Sequence, residues 1–380
     1  MRFLHLSDLH LGKSLHECSL LEDQRHILAQ IEQIARTRAV DAVVIAGDVY
    51  DRGVPPAEAV GLLDDFLTRL LASASAVLLV AGNHDSPERL GFLGGVLERQ
   101  GLYVQGVFSG CARRVTLPDA QGEVHFYLLP FVKPAKAAPF FPDEAVESYT
   151  DAVRLSLAAS GIDPAARNVL VAHQLFTSGG EAALRCDSES VSIGGVENVD
   201  IELAGLEAFD YVALGHLHRA QRVGREEIRY AGSPLKYSFS EAAGEKSVTL
   251  VELGAKGQVR IERVPLTPLR DLREIRGPID ALVAAAGEGS TDYIRAVVTD
   301  PGEVYDALGR LRRVYPNVLR LDFEAQRGPE AEKTPPAPDE DTPLSLFERF
   351  YAHTRGTPLT PAQRDRLVQA MEEAREEGLQ

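Results

Sequence analysis

Along the first 265 residues, short apolar runs alternate with longer segments of mixed polarity. Arg2–Leu6 is such a run and closes on Ser7-Asp8, while Asp41–Ala46 (Asp-Ala-Val-Val-Ile-Ala) and Val77–Ala81 are almost wholly apolar. Continuous apolarity over so few residues suits strands covered on both faces. Between the first two runs, Ile27, Ile31 and Ile34 recur at helical spacing, and a second helix is expected to open after Pro55-Pro56. Further strands are expected at Val124–Leu129, Asn168–Ala172, Tyr211–Leu214 and Lys246–Leu253. Because strands predominate after residue 120, the pattern predicts an α/β fold with two sheets packed as a sandwich and flanked by helices, not a single doubly wound sheet.

The pattern changes near Val264-Pro265-Leu266. A strand (Tyr293–Thr299), a helix (Val304–Val314) and another strand (Val318–Phe323) suffice for a small α/β capping domain over 266–325. Residues 326–342 are rich in Pro, Glu and Asp and predict a linker. Two helices are expected over 343–380. The first is marked by Leu344, Phe347 and Tyr351. The second opens on the capping box Thr360-Pro361-Ala362-Gln363 and carries Leu367, Met371 and Ala374 at helical spacing.

Composition narrows the class. With 44% hydrophobic and 25% charged residues, the 380-residue chain can fill a core and suits two or three domains. The first residues carry no apolar leader core, no apolar run approaches a membrane span, and Cys18, Cys111 and Cys186 form no C-x-x-C pair. A reducing cytoplasm is the expected location. The net charge of −16 argues against a protein that coats nucleic acid by itself, since that binding is driven by cationic side chains displacing counterions. Gly12-Lys13-Ser14 resembles the end of a phosphate-binding loop, but the first glycine of that loop would be Ser7, so no nucleotide site is expected.

The candidate chemistry lies at the ends of the strand-like runs: Asp8-Leu-His10, Gly47-Asp48-Val-Tyr-Asp51, Gly82-Asn83-His84-Asp85, Ala172-His173 and Gly215-His216-Leu-His218. Strand ends are where α/β sheets place ligands. If D-x-H and H-x-H are extended, alternate side chains point the same way and offer two donors to one ion. Mixed imidazole and carboxylate donors suit Mn²⁺, Fe²⁺ or Zn²⁺ better than Ca²⁺. A carboxylate can bridge two ions, and such a pair can clamp an in-line displacement at phosphorus. Glycines before Asp48, Asn83 and His216 would allow sharp turns.

In order and spacing these five blocks resemble the calcineurin-like metallophosphoesterases. Within that superfamily they resemble the SbcD family, on the further evidence of Gly-Asp-Val-Tyr-Asp-Arg-Gly and the run Ala231–Glu241, Ala-Gly-Ser-Pro-Leu-Lys-Tyr-Ser-Phe-Ser-Glu. The resemblance implies that Asp8, His10, Asp48 and His218 hold one ion, and that a bridging Asp48 with Asn83, His173 and His216 holds the other, both ions being Mn²⁺. It implies that His84 protonates the leaving oxygen while Asp85 fixes its tautomer. Asp51, where archaeal relatives carry a histidine, is a candidate either for supporting the ligands or for chemistry on the phosphate side. The implied activity is exonuclease and endonuclease action on double-stranded DNA ends and hairpins, in repair and recombination, with the ATPase SbcC. The terminal helices, through Leu344, Phe347, Tyr351, Leu367 and Met371, would dock on SbcC. Segments near Pro56–Leu71 and Glu88–Gln100 would form a homodimer within a heterotetramer. Rival readings are a phosphoesterase of small phosphodiesters or phosphoproteins, and a non-catalytic scaffold.

Overall fold

A computed structural model describes residues 1–179, 184–189, 198–324, 347–348, 350–352, 357–364 and 366–367. The chain divides into two compact units, Met1–Asp322 and Phe323–Gln380.

The strands of the two large sheets in the larger unit are β1 (Arg2–Leu6), β2 (Ala42–Ala46), β3 (Ala76–Val80), β4 (Leu102–Gln105), β5 (Arg113–Asp119), β6 (Gly122–Leu129), β7 (Arg167–His173), β8 (Tyr211–Gly215), β9 (Gln221–Val223), β10 (Arg225–Tyr230), β11 (Ser247–Leu253) and β12 (Val259–Pro265). They form two six-stranded sheets, ordered β12-β11-β1-β2-β3-β4 and β9-β10-β8-β7-β6-β5. The four-strand run β1 to β4 and the run β10-β8-β7-β6 are parallel, and the remaining edge pairings are antiparallel.

Alternation along each strand builds the layers, because successive side chains point to opposite faces. Ala42, Val44 and Ala46 of β2 and Ala76, Leu78 and Val80 of β3 meet Val169 and Val171 of β7 and Tyr211 and Ala213 of β8 in the core between the sheets. The intervening Val43, Ile45, Val77 and Leu79 face helices α1 (Leu21–Thr37) and α2 (Ala57–Ser73) through Ile27, Ile31, Leu62 and Phe66. On the second sheet, Leu170, Ala172, Val212 and Leu214 pack outward on Val153 and Leu157 of α3 (Tyr149–Ala158). Both sheets are therefore covered twice, which is why their central strands read as unbroken apolar runs.

The expected strands appear with ends shifted by no more than one residue, apart from the two residues added to the start of Gly122–Leu129. Helix α3 carries no strong periodic stripe and escapes the sequence pattern, though its Ser148/Asp151 capping box is present. After β12, strands β13 (Leu272–Gly277), β14 (Tyr293–Val298) and β15 (Val318–Phe323) form a three-stranded sheet with helices α4 (Ile279–Ala285) and α5 (Ala307–Arg312). The helix expected at Val304–Val314 is shorter because Asp306 has φ +47°, a left-handed turn that stops helical extension on its N-terminal side. Residues 266–322 share the compact unit of the two sheets. Asp23 of α1 ties them to it, accepting from both Arg270 Nε (3.0 Å) and Nη2 (2.8 Å) and from the Tyr293 hydroxyl (2.8 Å).

In the second unit, Thr360 and Gln363 make the expected reciprocal cap, with the Thr360 amide donating to Gln363 Oε1 at 2.9 Å and the Gln363 amide donating to Thr360 Oγ1 at 3.4 Å. Gln363 Nε2 also donates to the Tyr351 hydroxyl (3.2 Å), and Arg364 pairs with Glu348 (2.6 Å). Leu344, Met371 and the segment 326–342 lie outside the described residues.

Candidate metal centre

All seven proposed ligands lie at or just beyond the C-terminal ends of β1, β2, β3, β7 and β8, where the two parallel blocks open at the same edge. Asp8, His10, Asp48, His173, His216 and His218 are buried and Asn83 half-buried. The turns there are not extended. Asp8 (φ +52°), His10 (+43°), Asp48 (+49°) and His216 (+104°) all have positive φ. Such conformations cost roughly 1–3 kcal/mol each in non-glycine residues and persist only where surroundings enforce them. Here the loops after β1 and β2 are laced together: the amides of Asp8, His10 and Leu11 donate to the carbonyls of Gly47, Asp48 and Val49 at 2.9–3.0 Å. The convergence of Asp8 with His10 therefore comes from left-handed turns, and the positive φ at His216 goes with His216 and His218 serving different donor groups. The extended alternation expected from D-x-H and H-x-H is corrected.

The role of the glycines is corrected as well. Gly47 does turn the chain (φ +85°), but Gly82 and Gly215 have no positive φ. They provide space instead: a Cβ on Gly82 would lie 2.1 Å from Asp48 Oδ1, and one on Gly215 would lie 1.8 Å from the Ala46 carbonyl oxygen.

The donor atoms form two adjoining groups. His10 Nε2 is 3.1 Å from His218 Nε2, which is 4.0 Å from Asp8 Oδ1. His173 Nε2 and His216 Nδ1 are each 3.0 Å from Asn83 Oδ1. Asp48 stands between them, its Oδ2 3.6 Å from His10 Nε2 and 3.4 Å from His173 Nε2. The triads Asp8/His10/His218 and Asp8/Asp48/His173 each gather their donor atoms within 4.8 Å.

The hydrogen bonds around these groups suit cations. His173 Nδ1 donates to the Ala46 carbonyl (2.7 Å), so in the neutral ring Nε2 would turn a lone pair toward two acceptors, Asn83 Oδ1 and Asp48 Oδ2. Lone pairs facing oxygen at this range repel unless a proton or a cation lies between them. Burial opposes charge on His173, yet the Asp48 and Asp8 carboxylates outweigh it and raise the imidazole to about 9. Burial raises the Asp8 carboxyl to about 7, while His173 holds Asp48 below the usual carboxylate range despite its burial. Burial lowers His216 to about 3 and His218 to about 4, so both imidazoles are neutral, the form in which a histidine can bind a cation. Among the described residues His216 Nε2 is buried without a hydrogen-bond partner, and His10 Nδ1 has only the Asp51 carboxylate, at 3.5 Å.

His84 sits at the rim, its ring centroid 4.8 Å from that of His10 and its amide donating to Asp48 Oδ1 (2.9 Å). Its Nδ1 donates to the Asp51 carbonyl (2.9 Å), so the expected tautomer-fixing bond to Asp85 is replaced by a backbone contact. The Asp85 carboxylate instead accepts from the amides of Val49 (3.1 Å), Tyr50 (2.9 Å) and Gly82 (2.9 Å), clamping the loop after β2 to the loop after β3. Burial and the nearby Asp48 charge raise it to about 6 against those three bonds. Asp51 pairs with Lys13 (2.7 Å) and lies 3.5 Å from His10 Nδ1, so its side chain steadies one histidine and its carbonyl another.

Several contributors have no counterpart in the sequence motifs. Gln24 on α1 donates to the His10 carbonyl (2.7 Å) and accepts from the Gly12 amide (3.0 Å), bracing the turn. Ser188, Glu189, Tyr237 and Glu241 surround His218. Tyr237 and Glu241 belong to the run Ala231–Glu241, whose likeness to the family is the signal. His5, in the strand leading to Asp8, reaches the other sheet and no ligand: it bonds Tyr211 and Leu214.

Residues 1–220 match the calcineurin-like phosphoesterase family, and residues 268–355 match a family described as Type 5 capsule protein repressor C-terminal domain. The chain is 32% identical over 376 residues to the SbcD component of the nuclease SbcCD from Staphylococcus epidermidis, covering 97% of each chain. Among solved structures it is similar to a dimetal phosphatase from Danio rerio (12% identity, TM-score 0.39, 70% of this chain and 96% of that one). It is also similar to the protein TT1561 of Thermus thermophilus (11% identity, TM-score 0.40, 69% and 98%). The chain is a metal-dependent hydrolase of phosphate esters and belongs to the calcineurin-like phosphoesterases, within the SbcD family.

Proposed function

We propose that this chain is a DNA nuclease that uses two Mn²⁺ ions to hydrolyse phosphodiester bonds at duplex ends and hairpins, working in the cytoplasm with an SbcC-type ATPase. The observation that carries this reading is the complete seven-residue donor set, in two adjoining groups about Asp48, in a chain that aligns end to end with a relative named as part of a nuclease.

Asp8, His10, Asp48 and His218 would hold one ion, and Asp48, Asn83, His173 and His216 the other; mixed imidazole and carboxylate donors suit Mn²⁺. Bound there, the ions would stabilise charge on the phosphoryl oxygens and acidify a water molecule. The protein's own groups do the positioning. Asp85 holds the two ligand loops together through three amides, and Gln24 fixes the turn that carries His10. His84, its Nδ1 held by the Asp51 carbonyl, would protonate the leaving oxygen.

Exposed apolar side chains support the partner surfaces. Val60 (45% exposed), Phe92 (69%), Leu93 (53%) and Val96 (62%) lie on the segments assigned to the homodimer. Phe347 (40%) and Phe350 (64%) lie on the segment assigned to SbcC. The net charge of −16 supports a division of labour in which the partner supplies much of the hold on DNA.

The test is hydrolysis by the purified chain with Mn²⁺, using end-labelled duplex and hairpin DNA beside small phosphodiesters. Cleavage of the DNA substrates is expected. Activity confined to small esters would overturn the nuclease assignment while leaving the metal centre intact.

A further inference from the structure

We propose that Glu241 is a positioning residue for the metal centre: acting through Ser188, it fixes the tautomer of His218 so that Nε2 presents its lone pair toward Asp8 and His10. The inference rests on the metal reading above.

Donor and acceptor roles follow from the chain of contacts. A carboxylate only accepts, so the Ser188 hydroxyl, 2.7 Å from Glu241 Oε1, gives its proton to that oxygen. The same hydroxyl is 2.8 Å from His218 Nδ1 and has only lone pairs left to offer, so Nδ1 must be the protonated nitrogen. Nε2 is then the unprotonated one, and it is the atom that faces His10 Nε2 and Asp8. Reversing the tautomer would set two lone pairs against each other at Nδ1 and turn a proton into the donor group.

Glu241 is itself held so that it can do this. It is 3% exposed, and a carboxylate at that depth persists only when its oxygens are satisfied. Oε1 accepts from the Tyr237 amide (3.1 Å) and Oε2 from Lys246 Nζ (2.5 Å). Lys246 also donates to the His218 carbonyl (2.8 Å) and to Ser233 Oγ (2.7 Å). The His218 amide donates to Glu189 Oε1 (2.7 Å). Tyr237 sets its ring edge-on to both His218 and His10, with centroids 5.8 and 5.5 Å away, and donates its hydroxyl to the Leu9 carbonyl. Every polar atom of His218 other than Nε2 is therefore fastened to the chain. A pair formed only to neutralise Lys246 would have no need to end on a ligand's ring nitrogen.

The experiment is calorimetric titration of the full-length protein with Mn²⁺, on the wild type, Glu241→Gln and Ser188→Ala. Groups that orient metal-bound histidines typically change affinity 10–100-fold. The wild type is expected to bind two ions, and Glu241→Gln to weaken one of them by about 10–100-fold while sparing the other. Ser188→Ala, which leaves the Glu241–Lys246 pair in place, is expected to weaken the same site. With Co²⁺ as the probe, the visible absorption of one site should shift in both variants. Should Glu241→Gln fail to fold, Ser188→Ala decides alone. Folded variants that bind both ions as tightly as wild type overturn this inference and leave the metal reading standing. A wild type that binds no Mn²⁺ overturns both.

Discussion

Acid should loosen the sandwich through His5, and the effect can be sized from the structure. His5 is wholly buried between the sheets. Its Nε2 donates to the Leu214 carbonyl (3.1 Å), so its Nδ1 accepts from the Tyr211 hydroxyl (2.9 Å). The neutral ring satisfies both nitrogens, and burial opposes a charge on it. Burial lowers the imidazole to about 3, the Leu214 carbonyl partly opposing this and Arg229 adding to it. In the unfolded chain the ring titrates near 6.5. Between those values the unfolded state binds the proton and the folded state does not. Stability from this residue is therefore fully present above 6.5 and is lost as the pH falls toward about 3. At pH 5 the loss relative to pH 8 is about 2 kcal/mol. The assay is urea unfolding of the chelator-treated protein at pH 8 and pH 5, for the wild type and His5→Gln. The variant should be less stable at pH 8, having lost packing and hydrogen bonds, yet lose about 2 kcal/mol less than wild type between the two pH values. Equal losses in both proteins would refute the reasoning.

Other consequences can be checked directly. Gly215→Ala would drive a methyl group into the Ala46 carbonyl, and Gly82→Ala into Asp48 Oδ1; displacement of the ligand loops by about 1 Å should lower kcat by about 100-fold. Asp85→Asn keeps the shape but cannot accept from all three amides; a loss of about 2 kcal/mol is expected in urea unfolding, since hydrogen bonds to a charged acceptor are worth roughly 1.5–3 kcal/mol. Asp23→Ala removes the acceptor shared by Arg270 and Tyr293 and should cost about 3 kcal/mol in the same assay, with Mn²⁺ affinity unchanged in calorimetry. Phe92→Asp should convert the proposed dimer to monomer in sedimentation velocity, because a charge placed in a buried apolar contact opposes association.

Much of the fold is legible in the chain because burial on both faces leaves a plain trace. Strands β2 and β3 are apolar throughout, β7 from Val169 to Ala172 and β8 from Tyr211 to Leu214, and that run alone places each of them. Shorter or half-exposed elements such as β9, β10 and β13 escape it, since Arg225-Glu-Glu-Ile and Leu272-Arg-Glu-Ile carry too little apolar pattern to stand out from loop. Helix α3 escapes because a buried helix of ten residues, apolar on several sides, has no contrasting stripe.

The candidate site divides in the same way. Its ligand residue types, their order and their place after strands are properties of the sequence, because chemistry demands particular donors and a strand end is marked by where apolar residues stop. What joins them is long-range: His10 meets His218 across 208 positions, and His173 meets Asn83 across 90. Only the folded chain shows that the turns at Asp8, His10, Asp48 and His216 are left-handed, that Gly82 and Gly215 are there for room, and that Asp85 serves three amides and not His84. Glu241 reads in sequence as one acid among 56 acidic residues. Its meaning comes from burial beside a histidine, which depends on how two sheets pack and not on any local pattern.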